Sequence, residues 1–424
     1  MKKIFIAIIL IIIITFIIDM NSFENKIIRK IEEEMISIDE FYIYGRYFNI
    51  KGTIPFKVDN ASLVFINKDF EETTYELTIN DNNFYLADKI NTGINLEKIK
   101  YENYALLLRL GDKYYSFENK TNYNNAYYYT MNLNNKTNYL EFKFLKRQEK
   151  SIFYLTSKNI KTPNNIYDIV IDPGHGSSAD SGAVQGNIYE KDINLAISLK
   201  LKEALEKENF KVLLTRTEDV NPSPYGHNGR AVLPNQVKAK LFISVHANST
   251  GYQMIKGGVE IYAPSKMEYS LAKEFADNIK EYANTTYSPQ VTNRVLDGVY
   301  VRTLTENDIN NSKALAKANG YEFYSNITTD TPWYFYNRET GGYMTGAYMD
   351  GRNTDYPPNP YYNSNMGVEG YLLELGYMTC KNDLDNLLNN EDGYVKGIVK
   401  AIVNHFRWQK DHFWSFLLFI KKII

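Results

Sequence analysis

Four side chains in this sequence are of the type and setting that do hydrolytic chemistry. His175 stands in Ile171-Asp-Pro-Gly-His-Gly and His246 in Phe242-Ile-Ser-Val-His-Ala-Asn, each at the end of a short apolar run. Glu190 opens a helical stretch after Tyr189, and Glu374 stands in Leu372-Leu-Glu-Leu-Gly-Tyr. Two imidazoles and one carboxylate, offered from the ends of different strands, make the three-ligand set a catalytic zinc uses while it keeps a position open for water. Glu374 adds a carboxylate that can carry protons. The turn Asp172-Pro-Gly projects His175 from a stiff strand end, and a carboxylate at a helix start can be oriented by the orphan amides there. The same ligand set also serves iron(II) and oxygen; Glu374 as a base favours hydrolysis. Residue types and spacing reach as far as metal-assisted hydrolysis.

A single histidine at a strand end is more often a packing residue than a ligand; it is the joint pattern that points to a metal. His227, His405 and His412 lie outside these segments and read as surface or packing residues. Cys380 follows the last segment at a helix-entry turn with no histidine near it, which argues against a thiol nucleophile.

The elements that must hold these groups follow from periodicity. Tyr167–Ile171, Lys211–Thr215, Leu241–Val245, Val259–Tyr262 and Tyr371–Leu375 read as strands. Asp192–Asn209 reads as an amphipathic helix with Ile193, Ile197, Leu201 and Leu205 on one ridge. Strands alternating with helices imply an α/β domain with a mixed sheet flanked by helices, and in such sheets ligands bind beyond the strand ends where His175, His246 and Glu374 fall. A long segment between Tyr262 and Gly370 begins with a helix over Tyr269–Tyr282 and turns rich in Tyr, Gly and Asn. Its Trp333 and Tyr334 are candidates either to stack on sugar rings or to fill a small core of the segment itself.

Upstream, from about Glu40 to Thr156, the pattern is alternating strands rich in Tyr, Phe, Ile and Thr: Phe41–Tyr44, Ser62–Ile66, Thr74–Ile79, Tyr104–Leu110 and Tyr139–Leu145. These predict a small all-β, sandwich-like domain that reads as a spacer or binding module with no catalytic constellation in it, joined by a linker at Ser157–Asn165. At the amino end Lys2 and Lys3 precede an apolar run, Ile4 to Ile18, interrupted only by Thr15. At about 1.5 Å per residue it spans roughly 22 Å, which suits a signal peptide or an uncleaved signal anchor that leaves the remainder outside the cytoplasmic membrane. The expected organisation is 1–22 membrane segment, 23–160 β-rich domain, 161–412 catalytic domain with an aromatic insertion at about 300–366, and 413–424 an apolar tail. A net charge of -2 argues against a nucleic-acid partner, and a single cysteine excludes an internal disulfide framework.

In order and spacing the four segments, with Leu214-Thr-Arg216, Arg230 followed by Asn235, His246-Ala-Asn-Ser, Gly258-Val-Glu260 and Glu374-Leu-Gly-Tyr, resemble the zinc-dependent N-acetylmuramoyl-L-alanine amidases of the amidase type 3 family, from about Ile166 to Trp408. The turn before Asp180 is one residue longer than usual, Pro234 stands where Ala is common, and Cys380 where Asn often follows. The resemblance implies one zinc ion held by His175, Glu190 and His246, Glu374 as catalytic base, and peptidoglycan as substrate. Asn248 and Arg230 are candidates to orient substrate or to hold the sheet together, and for Arg230 the structural role is the favoured one. It implies an extracytoplasmic, wall-associated enzyme and leaves any activator protein unidentified. The alternative is an inactive wall-binding protein on the same fold.

Overall fold

The computed structural model describes residues 23–121, 125–131, 136–147, 149–222, 228–230, 233–303, 305–318, 329 and 365–406. The amino-terminal apolar segment, the carboxyl-terminal tail, His227, His412 and the stretch with Trp333 and Tyr334 lie outside these residues. Two compact units divide the chain: Met1–Thr162 with Asn363–Asn365, and Pro163–Tyr362 with Met366–Ile424.

In the first unit the alternating segments form one antiparallel path. It runs from Asn125–Met131 through Lys136–Arg147, Lys150–Lys161, Asn103–Leu110, Ala61–Asn67, Glu72–Asn80, Asn83–Tyr85 and Tyr47–Thr53 to Ile36–Tyr44. Rings from the two ends of this path meet: Phe48 stacks on Phe142 at 4.2 Å, and Phe41 packs on Phe153 at 5.2 Å. The alternation thus closes on one shared core. Ala61–Asn67 is buried along its whole length, because a helix over residues 23–30 lays Phe23 and Ile27 on the far face, against Val64 and Ile66. The linker expected from Ser157 begins later than the sequence suggests. The strand continues to Lys161, where its polar residues pair with Lys136–Tyr139 through the backbone and Ser157 donates to Asn138 at 3.0 Å. Polar side chains hid a strand whose hydrogen bonds are main-chain.

The second unit is built on a seven-stranded sheet. In chain order its elements are β1 (Ile169–Pro173), α1 (Glu190–Lys207), β2 (Val212–Leu214), β3 (Leu241–Asn248), β4 (Glu260–Ala263), α2 (Ser270–Tyr282), β5 (Arg294–Leu296), β6 (Val299–Val301), α3 (Glu306–Ala318), β7 (Glu369–Tyr377) and α4 (Lys381–Asn389), followed by a helix over 391–406. The strand order is β2-β1-β3-β7-β4-β6-β5. β1, β2, β3 and β7 run parallel, β4 is antiparallel to β7, and β6 is parallel to β4. The sheet is mixed and carries helices.

Ile193, Ile197, Leu201 and Leu205 form the buried ridge of α1; each fully covered aliphatic side chain is worth about 1.5–3 kcal/mol. The helix starts two residues before Asp192, so that Glu190 is its first residue. β5 and β6 were not foreseen in the long segment, since three-residue strands leave no periodic signal. Among the described residues no helix is long and apolar enough to cross a membrane.

Candidate metal centre

The strand register assembles the site. His246 on β3 pairs with Glu374 on β7, and Glu374 pairs in turn with Glu260 on β4. Directly paired residues share a face of a sheet, so these three lie in a row across one face. Two residues earlier the same face carries Asp172 and Ser244, which pair between β1 and β3. His175 follows the end of β1, and Glu190 comes from the first turn of α1. Among the described residues, one group of donors able to hold a metal ion converges: His175, Glu190 and His246, with ligand atoms all within 4.8 Å of one another.

Oε1 of Glu190 lies 3.3 Å from His175 Nε2 and 3.1 Å from His246 Nδ1. The remaining ring nitrogens are committed elsewhere. His175 Nδ1 faces Asp180 Oδ1 at 2.6 Å, while His246 Nε2 faces Ser244 Oγ at 3.2 Å, and that hydroxyl donates to Asp172 Oδ2 at 2.8 Å. If those outer nitrogens donate, the inner ones offer lone pairs toward a carboxylate oxygen. Three acceptors at one point require a cation or a proton between them. The separations from Glu190 Oε1, 3.1 and 3.3 Å, are close to the roughly 3.4 Å between neighbouring ligand atoms that zinc bonds of about 2.1 Å would need. The outer partners are of the kind that fixes the tautomer of metal-bound histidine.

The surroundings leave no slack. A Cβ on Gly174 would stand 2.3 Å from the His246 ring, and one on Gly182 would stand 2.5 Å from Glu190 Oε2. Glu190 accepts from the backbone amides of Ala183 at 2.8 Å and Ala247 at 3.2 Å, and from Asn194 at 3.3 Å. Burial opposes its ionisation, but hydrogen bonds and charge from both histidines outweigh that and hold its carboxyl far below the usual range. Burial likewise disfavours protonated His175, yet Glu190 and Asp180 outweigh it and raise its pKa. In the absence of an ion, a proton is drawn to the same point.

A buried ionic clamp shapes the turn that carries His175. Asp172 accepts from Arg230 at 2.8 Å, Thr215 at 2.5 Å and Ser244 at 2.8 Å. Its burial would raise its pKa, but Arg230 above all holds it down. Arg230 also donates to the carbonyls of Pro173 at 3.3 Å and His175 at 3.1 Å, and Arg216 binds those of Pro173 at 2.9 Å and Gly174 at 3.1 Å. Together they over-determine a residue in a costly conformation, since His175 has φ +61°.

The structure therefore places Arg230 under the turn, buried against Asp172. Asn248 sits partly exposed at the end of β3 and donates to Glu260 at 3.2 Å. Glu374 is partly exposed in the middle of β7. Cys380 is buried at the start of α4, and His405 faces Glu369 at 3.7 Å, away from the donor cluster in the chain. Trp333 and Tyr334 lie outside the described residues. Asp172, Asp180 and Ser244 were not singled out as functional from sequence; the alternating polar positions of Ile-Ser-Val-His on a buried strand were the available signal.

A family profile described as N-acetylmuramoyl-L-alanine amidase matches residues 169–404, more than half of the 424. This chain belongs to that amidase family. Curated relatives include the germination-specific N-acetylmuramoyl-L-alanine amidase of Bacillus subtilis, 31% identical over 130 residues that cover 28% of this chain and 54% of that protein. The amidase AmiC of Escherichia coli is 41% identical over 83 residues, 19% of each chain. The chain spans about half the length, or less, of these amidase relatives. Among solved structures, an N-acetylmuramoyl-L-alanine amidase from Clostridium difficile 630 is 23% identical with a TM-score of 0.36, covering 57% of this chain and 97% of that one.

Proposed function

We propose that this protein hydrolyses the amide between the lactyl group of N-acetylmuramic acid and L-alanine in peptidoglycan. The observation that carries the reading is the convergence of His175, Glu190 and His246 beside Glu374, inside the region that matches the amidase family. His175 Nε2, Glu190 Oε1 and His246 Nδ1 would hold one zinc ion. Zinc held there would supply Lewis acidity that polarises the scissile carbonyl and lowers the pKa of a water to about 7. Glu374 takes the proton from that water as its oxygen bonds to the carbonyl carbon. It then delivers the proton to the alanine nitrogen as the C–N bond breaks, leaving a carboxylic acid on the lactyl group and an amine on the peptide, between which the second water proton passes to give carboxylate and ammonium. Asp180 and the Ser244–Asp172 pair keep the imidazoles turned toward the ion, and Arg230 and Arg216 fix the turn beneath. Asn248 lines the site beside Glu374, and Trp333 and Tyr334, outside the described residues, are the aromatic side chains this reading assigns to the glycan.

The same reading gives the β-rich unit a spacer or wall-binding role, and the segment before residue 23 the task of placing the chain outside the cytoplasmic membrane. Protease added to intact, wall-stripped cells should then digest it; a wholly protected chain would contradict that topology. The activity itself is tested with purified protein and defined muropeptides. Mass spectrometry should show disaccharide and free-amine peptide, lost with chelator and restored by zinc but not by iron(II). A chain that binds muropeptides yet releases nothing with zinc bound is a wall-binding protein instead.

A further inference from the structure

Next to Glu374 lies a carboxyl group that metal chemistry does not use. Glu260 is 1% exposed, and both its oxygens accept hydrogen bonds from four separate stretches of chain. Oε1 accepts from Ser288 Oγ at 2.5 Å and from the Tyr377 hydroxyl; Oε2 accepts from Tyr262 at 2.9 Å and from Asn248 Nδ2 at 3.2 Å. These donors come from the end of β3, from β4, from the loop after α2 and from the end of β7. The loop is seated in its turn: Gly258, at φ +128°, leaves no room for a Cβ against the backbone of Thr286 and Tyr287. Tyr300 holds the carbonyls of Ser288 at 3.3 Å and Gln290 at 2.9 Å.

Two of the donors face each other across β3 and β7, where Asn248 pairs with Tyr377. Glu260 itself pairs with Glu374. Burial, then Glu260, then Glu374 raise the pKa of both Tyr262 and Tyr377, which places Glu374 near both phenols. The Asn248 amide is fixed at both ends, because its Oδ1 accepts from the Ser249 amide at 2.8 Å. Burying so many polar groups is costly unless each is hydrogen-bonded, and a network so satisfied holds its members rigidly. Here four donors converge on one carboxyl group, two on each oxygen.

We propose that Glu260 is a positioning residue of the hydrolytic site: through Asn248 and Tyr377 it fixes the wall beside Glu374, without acting on the ion. The inference rests on the amidase reading above. Glu260→Gln keeps the volume but offers one acceptor oxygen in place of two. The full chain carrying it should retain its zinc and lower kcat about 10-fold to 100-fold, the usual effect of an outer partner, with KM nearly unchanged. In an Asn248→Ala background the same substitution should cost much less, since the interaction it removes is already gone.

A purely structural role would lower thermal stability and leave the two substitutions additive in kcat, which overturns the proposal, as does zinc loss in Glu260→Gln. If that variant does not fold, Tyr377→Phe removes one donor, and an unchanged kcat there overturns the proposal equally. An independent reading comes from the Asn248 side-chain amide in 15N-labelled protein, identified by its loss in Asn248→Ala. It should shift in Glu260→Gln or, where that does not fold, stay shifted from random-coil values in wild type. Should the wild-type chain fail to cut muropeptides, the amidase reading falls, while the amide signal still decides whether Glu260 holds Asn248.

Discussion

At the residue scale the site separates groups that hold an ion from a group that moves protons, and substitutions should reveal the division. Removing any of His175, Glu190 or His246 leaves two protein ligands, too few to retain zinc in an open site. Each alanine variant should lose its metal and its activity together, as read by metal analysis after dialysis. Glu374→Gln should keep zinc and lose roughly 100-fold to 10,000-fold in turnover, the usual worth of general acid-base help. A Gln variant that loses zinc would exchange the roles of Glu374 and Glu190; one that keeps near-normal turnover would move the base elsewhere. Asp172 gives a pH prediction. Its folded pKa is lowered, chiefly by Arg230 against the opposing effect of burial. The stability it contributes is therefore present above the unfolded carboxylate's pKa and is lost as pH falls through the folded value. Asp172→Asn leaves Arg230 buried without its charge partner, which should cost about 3–5 kcal/mol at pH 7. In denaturant titrations the gap to wild type should narrow toward pH 3; a gap independent of pH would mean the pair contributes nothing through charge.

At the scale of elements, much was legible because each donor sits at the end of a local signal: an apolar strand before His175, another through His246, a helix opening at Glu190. What the sequence did not disclose depends on pairing between strands. Ser244 becomes a partner of His246 only because β1 places Asp172 beside it, and Glu260 acquires four donors only when β3, β4 and β7 lie in register. Arg230 is similar, since its arginine type suited substrate as well as structure until burial against Asp172 placed it. β5 and β6 were too short to show a period, and the strand through Ser157 too polar. The turn after β1 is the element with least tolerance. In Gly174→Ala the new methyl would stand 2.3 Å from the His246 ring, so either the ring or the turn must shift. Zinc affinity should drop at least about 10-fold, by analogy with other disturbances of ligand orientation, while the thermal transition of the metal-free protein changes little. Chelator competition measures the first and scanning calorimetry the second; an unchanged affinity would show that the ring has room to rotate.

At the scale of the whole molecule the two units differ in construction and, by the proposal, in task. The first is an antiparallel strand path closed on aromatic rings, with a second small core under the helix over 23–30. The second holds its own seven-stranded sheet, all of the metal donors, and all of the family match except residues 363–365. Each has the buried apolar core that independent folding requires. Removing residues 1–162 should therefore leave a soluble protein that binds one equivalent of zinc and cuts soluble muropeptides at a rate within a few-fold of the full chain. The cut falls at Thr162, after the strand that ends at Lys161. Retention on isolated cell walls should fall in the same shortened protein if the β-rich unit binds wall polymer, and remain if it is only a spacer. The decisive measurement is metal content together with the cooperativity of thermal unfolding. A shortened chain that aggregates, or that folds but cannot hold zinc, would show that the strand-rich half is part of one cooperative unit with the site, because nothing in the donor cluster itself has then been removed.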